Sequence, residues 1–232
     1  MKHFVKRLVS PLLVKLFPIW WKELNELRFW KSKKKAEGQL SNEHYEYFYT
    51  EHFGLDRSFY NDKVLLDIGC GPRGSLEWAS MASRRMGLDP LANEYLRLGA
   101  DQHQMEYLDA PSEKMPLKDE TCDAVFSFNS LDHVEDVEQT LKEIMRVIRP
   151  GGTFLLIVEV NHPPTDCEPH QLSPAKLLGS LSHSFDYERF YVFEPSPNGV
   201  YRSVANGKKL ERPEETEQIG ILSAKYVRKT SS

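Results

Sequence analysis

The chain has 232 residues, 40% hydrophobic and 11% aromatic, enough for one α/β domain with an extension. Its net charge of −4 hides an asymmetry: residues 1 to 35 carry +8 and the remainder −12. An acidic globule with one basic arm argues against a nucleic-acid groove, and Cys70, Cys122 and Cys167 have neither paired nor metal-finger spacing.

In the arm, Phe4 to Trp30 alternate apolar residues with lysines and arginines. Pro11, Lys15 and Pro18 interrupt the longest apolar span, which is too short and too charged for a membrane-spanning helix of about 20 apolar residues. Trp20-Trp21 stands where a signal-peptide cleavage site would need small residues. Tryptophans beside lysines suit a segment lying on an anionic membrane surface. The alternative is a cap packed on the globule.

Residues 36 to 62, with Tyr45, Tyr47, Phe48, Tyr49 and Phe53, read as a helical lid or packing layer. Val64 to Ile68 then reads as a strand, followed by Gly69, Gly71 and Gly74, with a helix expected from Ser75. Asp89 lies 20 residues beyond Gly69, where a ribose-binding acid belongs in a dinucleotide fingerprint. Taken alone, this pattern fits a nicotinamide cofactor or S-adenosylmethionine. Asp67 favours the second, because a carboxylate suits a cationic amino group and sulfonium better than a pyrophosphate.

Further strands are expected near 84–88, 104–108, 122–128 and 152–160, alternating with helices, which implies a mostly parallel sheet. Leu141 to Ile148 has the pattern of an amphipathic helix closed by Arg149-Pro150-Gly151-Gly152. A helix follows near 173–182, then strands at 187–193 and 219–227, with 195–217 as a loop or loose hairpin. Cys70 and Cys122 fall in or beside strands, which fits reduced thiols and a reducing, cytoplasmic setting.

The order Val64–Gly74, Leu108-Asp109-Ala110 with Lys114–Leu117, Cys122–His133 and Leu141–Val160 resembles the class I S-adenosylmethionine-dependent methyltransferases of small-molecule type. The resemblance covers about residues 60 to 160. It implies a Rossmann-like, doubly wound seven-stranded sheet, mostly parallel with an antiparallel last strand, plus an N-terminal helical extension. The domain would run over 36–232, with its cofactor core at 63–160 and the extension at 1–35.

The resemblance also implies roles. Asp67, Gly69, Cys70 and Gly71 would face the methionine part of the cofactor, Asp89 and Pro90 the ribose, and Asp109 and Ala110 the adenine. Asn129 and Ser130 would lie beside the methyl group. Each has a plainer alternative: a glycine turn, a helix cap at Asp89, a turn aspartate at Asp109. His133 and His170 are the candidate general bases, against helix capping or packing. His162, Asp166, Glu168 and His170 could line the acceptor pocket. No metal is expected, since their spacing matches no standard ligand pattern. The expected activity is methyl transfer to a small or lipid-linked acceptor, first at oxygen: a glycan precursor, lipid or quinone. A nicotinamide-dependent oxidoreductase and a non-catalytic adaptor remain the alternatives.

Overall fold

The computed structural model describes residues 18–42, 45–165 and 167–230. Residues 1 to 17 of the basic arm and Asp166 lie outside them. Seven strands form one sheet: β1 Val64–Ile68, β2 Arg84–Asp89, β3 Glu106–Asp109, β4 Cys122–Phe128, β5 Ile148–Val160, β6 Phe185–Phe193 and β7 Gly220–Arg228. Their spatial order is β3-β2-β1-β4-β5-β7-β6. The first five pair in parallel. β7 inserts between β5 and β6 and runs antiparallel to both, as expected.

Strand alternation sorts side chains to two cores. Leu66, Ile68, Met86, Leu88 and Val125 face one side, covered by α4 (Val137–Val147) and α5 (Pro174–Ser182). Leu65, Ala124, Phe126, Leu155 and Ile157 face the other, against Phe48, Tyr49, Phe53, Tyr60 and Leu76. This second layer holds α2 (Glu46–Tyr49) and α6 (Val200–Asn206), so residues 45–60 are a packing layer. β5 carries five successive fully buried residues, Phe154 to Val158, as befits a central strand covered on both faces.

α4 starts four residues earlier than the sequence pattern suggests. Asp136 caps it by accepting from the Gln139 amide at 3.0 Å. Leu141, Ile144 and Val147 share its buried face, each worth about 1.5–3 kcal/mol on leaving water. Pro150 then prevents helical continuation, and the chain turns into β5.

Two expectations need correction. No helix begins at Ser75. Residues 75–83 form successive tight turns, with Glu77 N–H donating to Gly74, Ala79 to Leu76 and Ala82 to Ala79. The Glu77 carboxylate accepts from the Gln104 and Met105 amides and pins these turns to the approach of β3. The connector over 195–217 is not a plain loop, for it contains α6, whose Ser203 hydroxyl accepts from the Ser196 amide.

α1 (Pro18–Glu37) ends at Gly38, which adopts φ +79° and donates to the Lys34 carbonyl. The expected boundary at residue 35 therefore falls inside this helix. α3 (Ala92–Arg97) follows β2. No helix among the described residues is long and apolar enough to cross a membrane.

Candidate active site

The strand order reverses between β1 and β4, so a crevice opens at their carboxyl ends, where ligands bind in open α/β sheets. Asp67 sits in β1, Asp89 ends β2 and Asp109 ends β3, paired in register with Asp89. Asn129 follows β4 and takes φ +55°, a left-handed turn that asparagine tolerates better than most residues.

Ser130 fastens the crevice floor. Its hydroxyl donates to the Ile68 carbonyl at 2.8 Å and lies 2.8 Å from the Ser127 hydroxyl. A Cβ on Gly69 would stand 2.3 Å from the Ser130 Cβ, so close strand packing alone demands glycine there. The Cys70 thiol is buried beneath β2, 2.6 Å from where a Cβ on Gly87 would be. Burial pushes that thiol up, and only the backbone of Cys70 remains for a ligand.

Two carboxyls stand out electrostatically. Asp67 is 3% exposed, and burial pushes it up to about 7 although Tyr49 donates to its Oδ2 at 3.0 Å. Burial also raises Asp89, and the Glu26 carboxylate adds to the rise. Asp89 Oδ1 accepts from the Leu91 amide at 2.9 Å, and Oδ2 faces the Gly71 amide at 3.4 Å. It thus serves the turn into α3 and faces the glycine loop at once. Asp109 is exposed, and Asn93 donates to its Oδ2. Pro90 is exposed and Ala110 half-buried beside them.

α1 crosses this edge. Lys22 donates to the His133 carbonyl and pairs with Glu135 at 2.7 Å. Glu26 accepts from Tyr95 Oη at 3.0 Å and from the Trp30 indole at 3.4 Å. Arg73 lies over the Trp30 ring and pairs with Glu37 at 2.8 Å. Glu26, Trp30 and Asn93 are site neighbours that the sequence reading did not single out. One signal was present: Glu23 and Glu26 are the only acids in residues 1 to 35, and both belong to the part that covers the site.

Beyond β4, Asp132 is fully buried between His133 and His162, at 3.9 and 3.7 Å from their Nε2 atoms. His133 Nε2 lies 3.7 Å from Glu168. His170 is placed differently. Its Nε2 is 2.8 Å from the Val134 carbonyl and 3.2 Å from that of Glu135, tying the 161–172 loop to the turn after β4.

Residues 66–156 match the methyltransferase domain family. Residues 66–156 are thus similar to the methyltransferase domain of class I S-adenosylmethionine-dependent enzymes, and the sheet has their fold. Among curated relatives, the ubiquinone/menaquinone biosynthesis C-methyltransferase UbiE of Hahella chejuensis is 29% identical over 171 residues, 69% of this chain and 62% of that one. The malonyl-[acyl-carrier protein] O-methyltransferase of Yersinia pestis is 34% identical over 93 residues, 40% of this chain and 35% of that one. The chain thus spans less than two thirds of the length of these relatives. A solved S-adenosylmethionine-dependent methyltransferase from Mesorhizobium loti shares the fold, with TM-score 0.56, 21% identity, and coverage of 73% of this chain and 92% of that one.

Proposed function

We propose that this methyltransferase domain transfers a methyl group from S-adenosylmethionine to a small or lipid-linked acceptor. The observation that carries this reading is the pair of buried carboxyls, Asp67 and Asp89, both held above the usual carboxylate range at the edge of the glycine turn. Such groups call for hydrogen-bond donors and positive charge, which an amino group and a ribose diol supply. A dinucleotide pyrophosphate would add negative charge, and the expected helix N-terminus that would offset it is not there.

In this reading Asp67 and the 69–71 backbone hold the methionine part, Asp89, Pro90 and Glu26 surround the ribose, and Asp109 with Ala110 takes the adenine. Bound there, the cofactor supplies an electrophilic methyl group on a cationic sulfur. Asn129 and Ser130 shape the wall beside it. Alignment of donor and acceptor accounts for most of the rate, an effect worth ~7–11 kcal/mol when geometry is right.

The acceptor atom we favour is oxygen, with His133 assisting its deprotonation, because His133, Asp132 and His162 gather where the acceptor would enter. A membrane-borne acceptor such as a lipid, quinone or glycan precursor fits the outward side of α1, where Trp20, Arg28, Lys31 and Lys35 are exposed. Calorimetry with S-adenosylhomocysteine and with NAD tests the cofactor. Tight NAD binding without S-adenosylhomocysteine binding would reverse the assignment. Homocysteine release against fractionated metabolites and membrane lipids then identifies the acceptor.

A further inference from the structure

We infer that the carboxyl end of β4 and β5 holds a site for one first-row divalent cation, built from Asp132, His133, Glu159, His162 and Glu168. These side chains are spread over 37 positions from 132 to 168, so their spacing has no ligand signature. The fold gathers them. One ligand atom each from Asp132, His133 and Glu168 lie within 4.8 Å of one another, and so do those of Glu159, His162 and Glu168. Glu168 belongs to both groups, and Asp132 lies 3.7 Å from His162, which joins the two into one cluster.

A second observation points to a ligand. Neither Asp132 carboxylate oxygen has a hydrogen-bond partner, although the side chain is fully buried. Leaving a buried carboxylate bare is costly, and such groups are normally paired or metal-bound. The ring nitrogens facing it are likewise without a hydrogen bond: His133 Nε2 and His162 Nε2 have only the carboxylates of Asp132 and Glu168 at 3.7–3.9 Å. The distances of 3.7–3.9 Å are too long for hydrogen bonds and suit ligands standing around an ion.

The tautomer of His162 agrees. Its Nδ1 is 2.9 Å from the Pro163 carbonyl, which can only accept, so Nδ1 carries the proton. Nε2 is then left as a lone pair aimed at Asp132. A histidine oriented through its other nitrogen by a carbonyl is the arrangement of metal-bound imidazoles. Glu168 is held in place too, for Thr165 Oγ1 donates to Glu168 Oε2 at 3.2 Å and accepts from the Glu168 amide at 3.0 Å.

Donor chemistry selects the ion. Imidazole mixed with carboxylate suits zinc, manganese or iron(II), whereas magnesium and calcium prefer oxygen alone. The role follows from position and rests on the methyltransferase reading. The cluster follows Asn129 at the carboxyl ends of β4 and β5, the sheet edge at which the crevice opens. A cation there would bind an acceptor hydroxyl and lower its pKa, so that its proton passes to solvent. The oxygen lone pair then forms the O–CH3 bond as the S–CH3 bond breaks, and the bond pair stays on sulfur as a neutral thioether. With the cation bound, His133 assists that deprotonation through the ion it ligates.

The test uses the full chain stripped with chelator. Titration with zinc, manganese and magnesium chlorides should show one zinc or manganese ion per chain and far weaker magnesium binding. Asp132→Asn and Glu168→Gln should each weaken zinc binding by on the order of 100-fold, while His183→Asn, at an exposed histidine elsewhere, leaves it unchanged. If Asp132→Asn does not fold, Glu168→Gln in the half-buried loop decides. Cobalt(II) substitution should give visible bands that Glu168→Gln alters. Zinc binding that survives Glu168→Gln, or none in the stripped chain, overturns the inference. S-adenosylhomocysteine binding is measured on the same samples. Its presence without cation binding sinks the metal site alone, and its absence sinks the methyltransferase reading.

Discussion

The Trp30 indole lies against Gly71: a Cβ on that glycine would stand 3.2 Å from Trp30 Cζ2. The same ring meets Arg73 on its face and donates to Glu26, so one tryptophan joins α1 to the glycine loop. α1 is thereby a cover for the crevice as well as a surface helix. A ligand entering at Gly71 must displace or contact the indole. We therefore expect S-adenosylhomocysteine to shift the tryptophan emission of the wild-type chain and to lose most of that shift in Trp30→Phe. An unchanged shift in the variant would place Trp30 away from the bound ligand.

Asp67 supplies a pH dependence with a definite sign. The folded chain protonates this carboxyl near pH 7, whereas an unfolded aspartate does so near 4. Between those values the folded chain binds more protons, so this group's contribution to stability falls as pH rises from about 4 to about 7. A cationic amino group beside Asp67 holds it ionised. Binding should then release a proton below about pH 7, and affinity should weaken by up to about tenfold per pH unit as pH falls below it. Calorimetry in buffers of different ionisation enthalpy reads the proton. Asp67→Asn should release fewer protons than wild type, and equal release would exclude Asp67 from the site.

The ribose end rests on Asp89 and Glu26. Asp89→Ala should weaken S-adenosylhomocysteine binding by about 1–3 kcal/mol, since it leaves buried donors unmatched. Glu26→Gln removes a charge that now opposes Asp89, so it should bring the Asp89 carboxyl back toward the ordinary range while keeping a hydrogen-bond acceptor. A carbon-13 titration of Asp89 in both forms measures this. An identical titration would show that the two groups do not interact.

The strands were readable because their chemistry is local. Val64–Ile68 and Phe154–Val160 are apolar runs broken only by one acid each, Asp67 and Glu159, near the carboxyl end, and a glycine or asparagine turn follows each. The acids Asp67, Asp89 and Asp109 were readable because each sits at a strand end, and register then aligns them. The turns at 75–83 were not, because a distant contact set them: Glu77 reaches the amides of Gln104 and Met105. The cluster around Asp132 was invisible for the same reason, since the turn after β4, the end of β5 and the loop after β5 each contribute a part. Glu26 was obscured by its setting, an acid in a segment whose charge reads as basic.

The two histidines proposed from sequence should separate. His133 faces Asp132 and Glu168, whereas His170 spends Nε2 on backbone carbonyls. His133→Ala should lower turnover by about 10²–10⁴-fold, the range for loss of a proton-handling group. His170→Ala should cost about 1 kcal/mol of stability through its lost loop tie and leave turnover within about tenfold. Homocysteine release and urea unfolding measure both. A large turnover loss in His170→Ala at unchanged stability would exchange their roles.

The exposed side of α1 bears on where the proposed methyl transfer takes place. Lys22 and Lys34 are engaged with the globule, and Trp30 is turned inward. Trp20 remains 51% exposed, and Arg28, Lys31 and Lys35 are exposed on the same side of the helix. A helix can therefore cover the crevice with one face and meet an anionic surface with the other, so the cap and membrane readings are compatible. Each basic residue near an anionic leaflet is worth ~1 kcal/mol, and interfacial aromatics add apolar burial. We expect the full chain to sediment with phosphatidylserine vesicles at low salt, to be released as salt rises, and to ignore neutral vesicles. Removing residues 1 to 35 would strip Lys22, Glu26 and Trp30 from the site and confound the result. The cleaner variant is Trp20→Ala with Lys31→Ala, two exposed side chains on the outward side of α1. It should reduce vesicle binding about tenfold or more while S-adenosylhomocysteine affinity is unchanged, since about 1.4 kcal/mol of lost apolar burial and charge attraction is a factor of ten. Full-strength vesicle binding by that double variant would show that this face of α1 is not the docking surface.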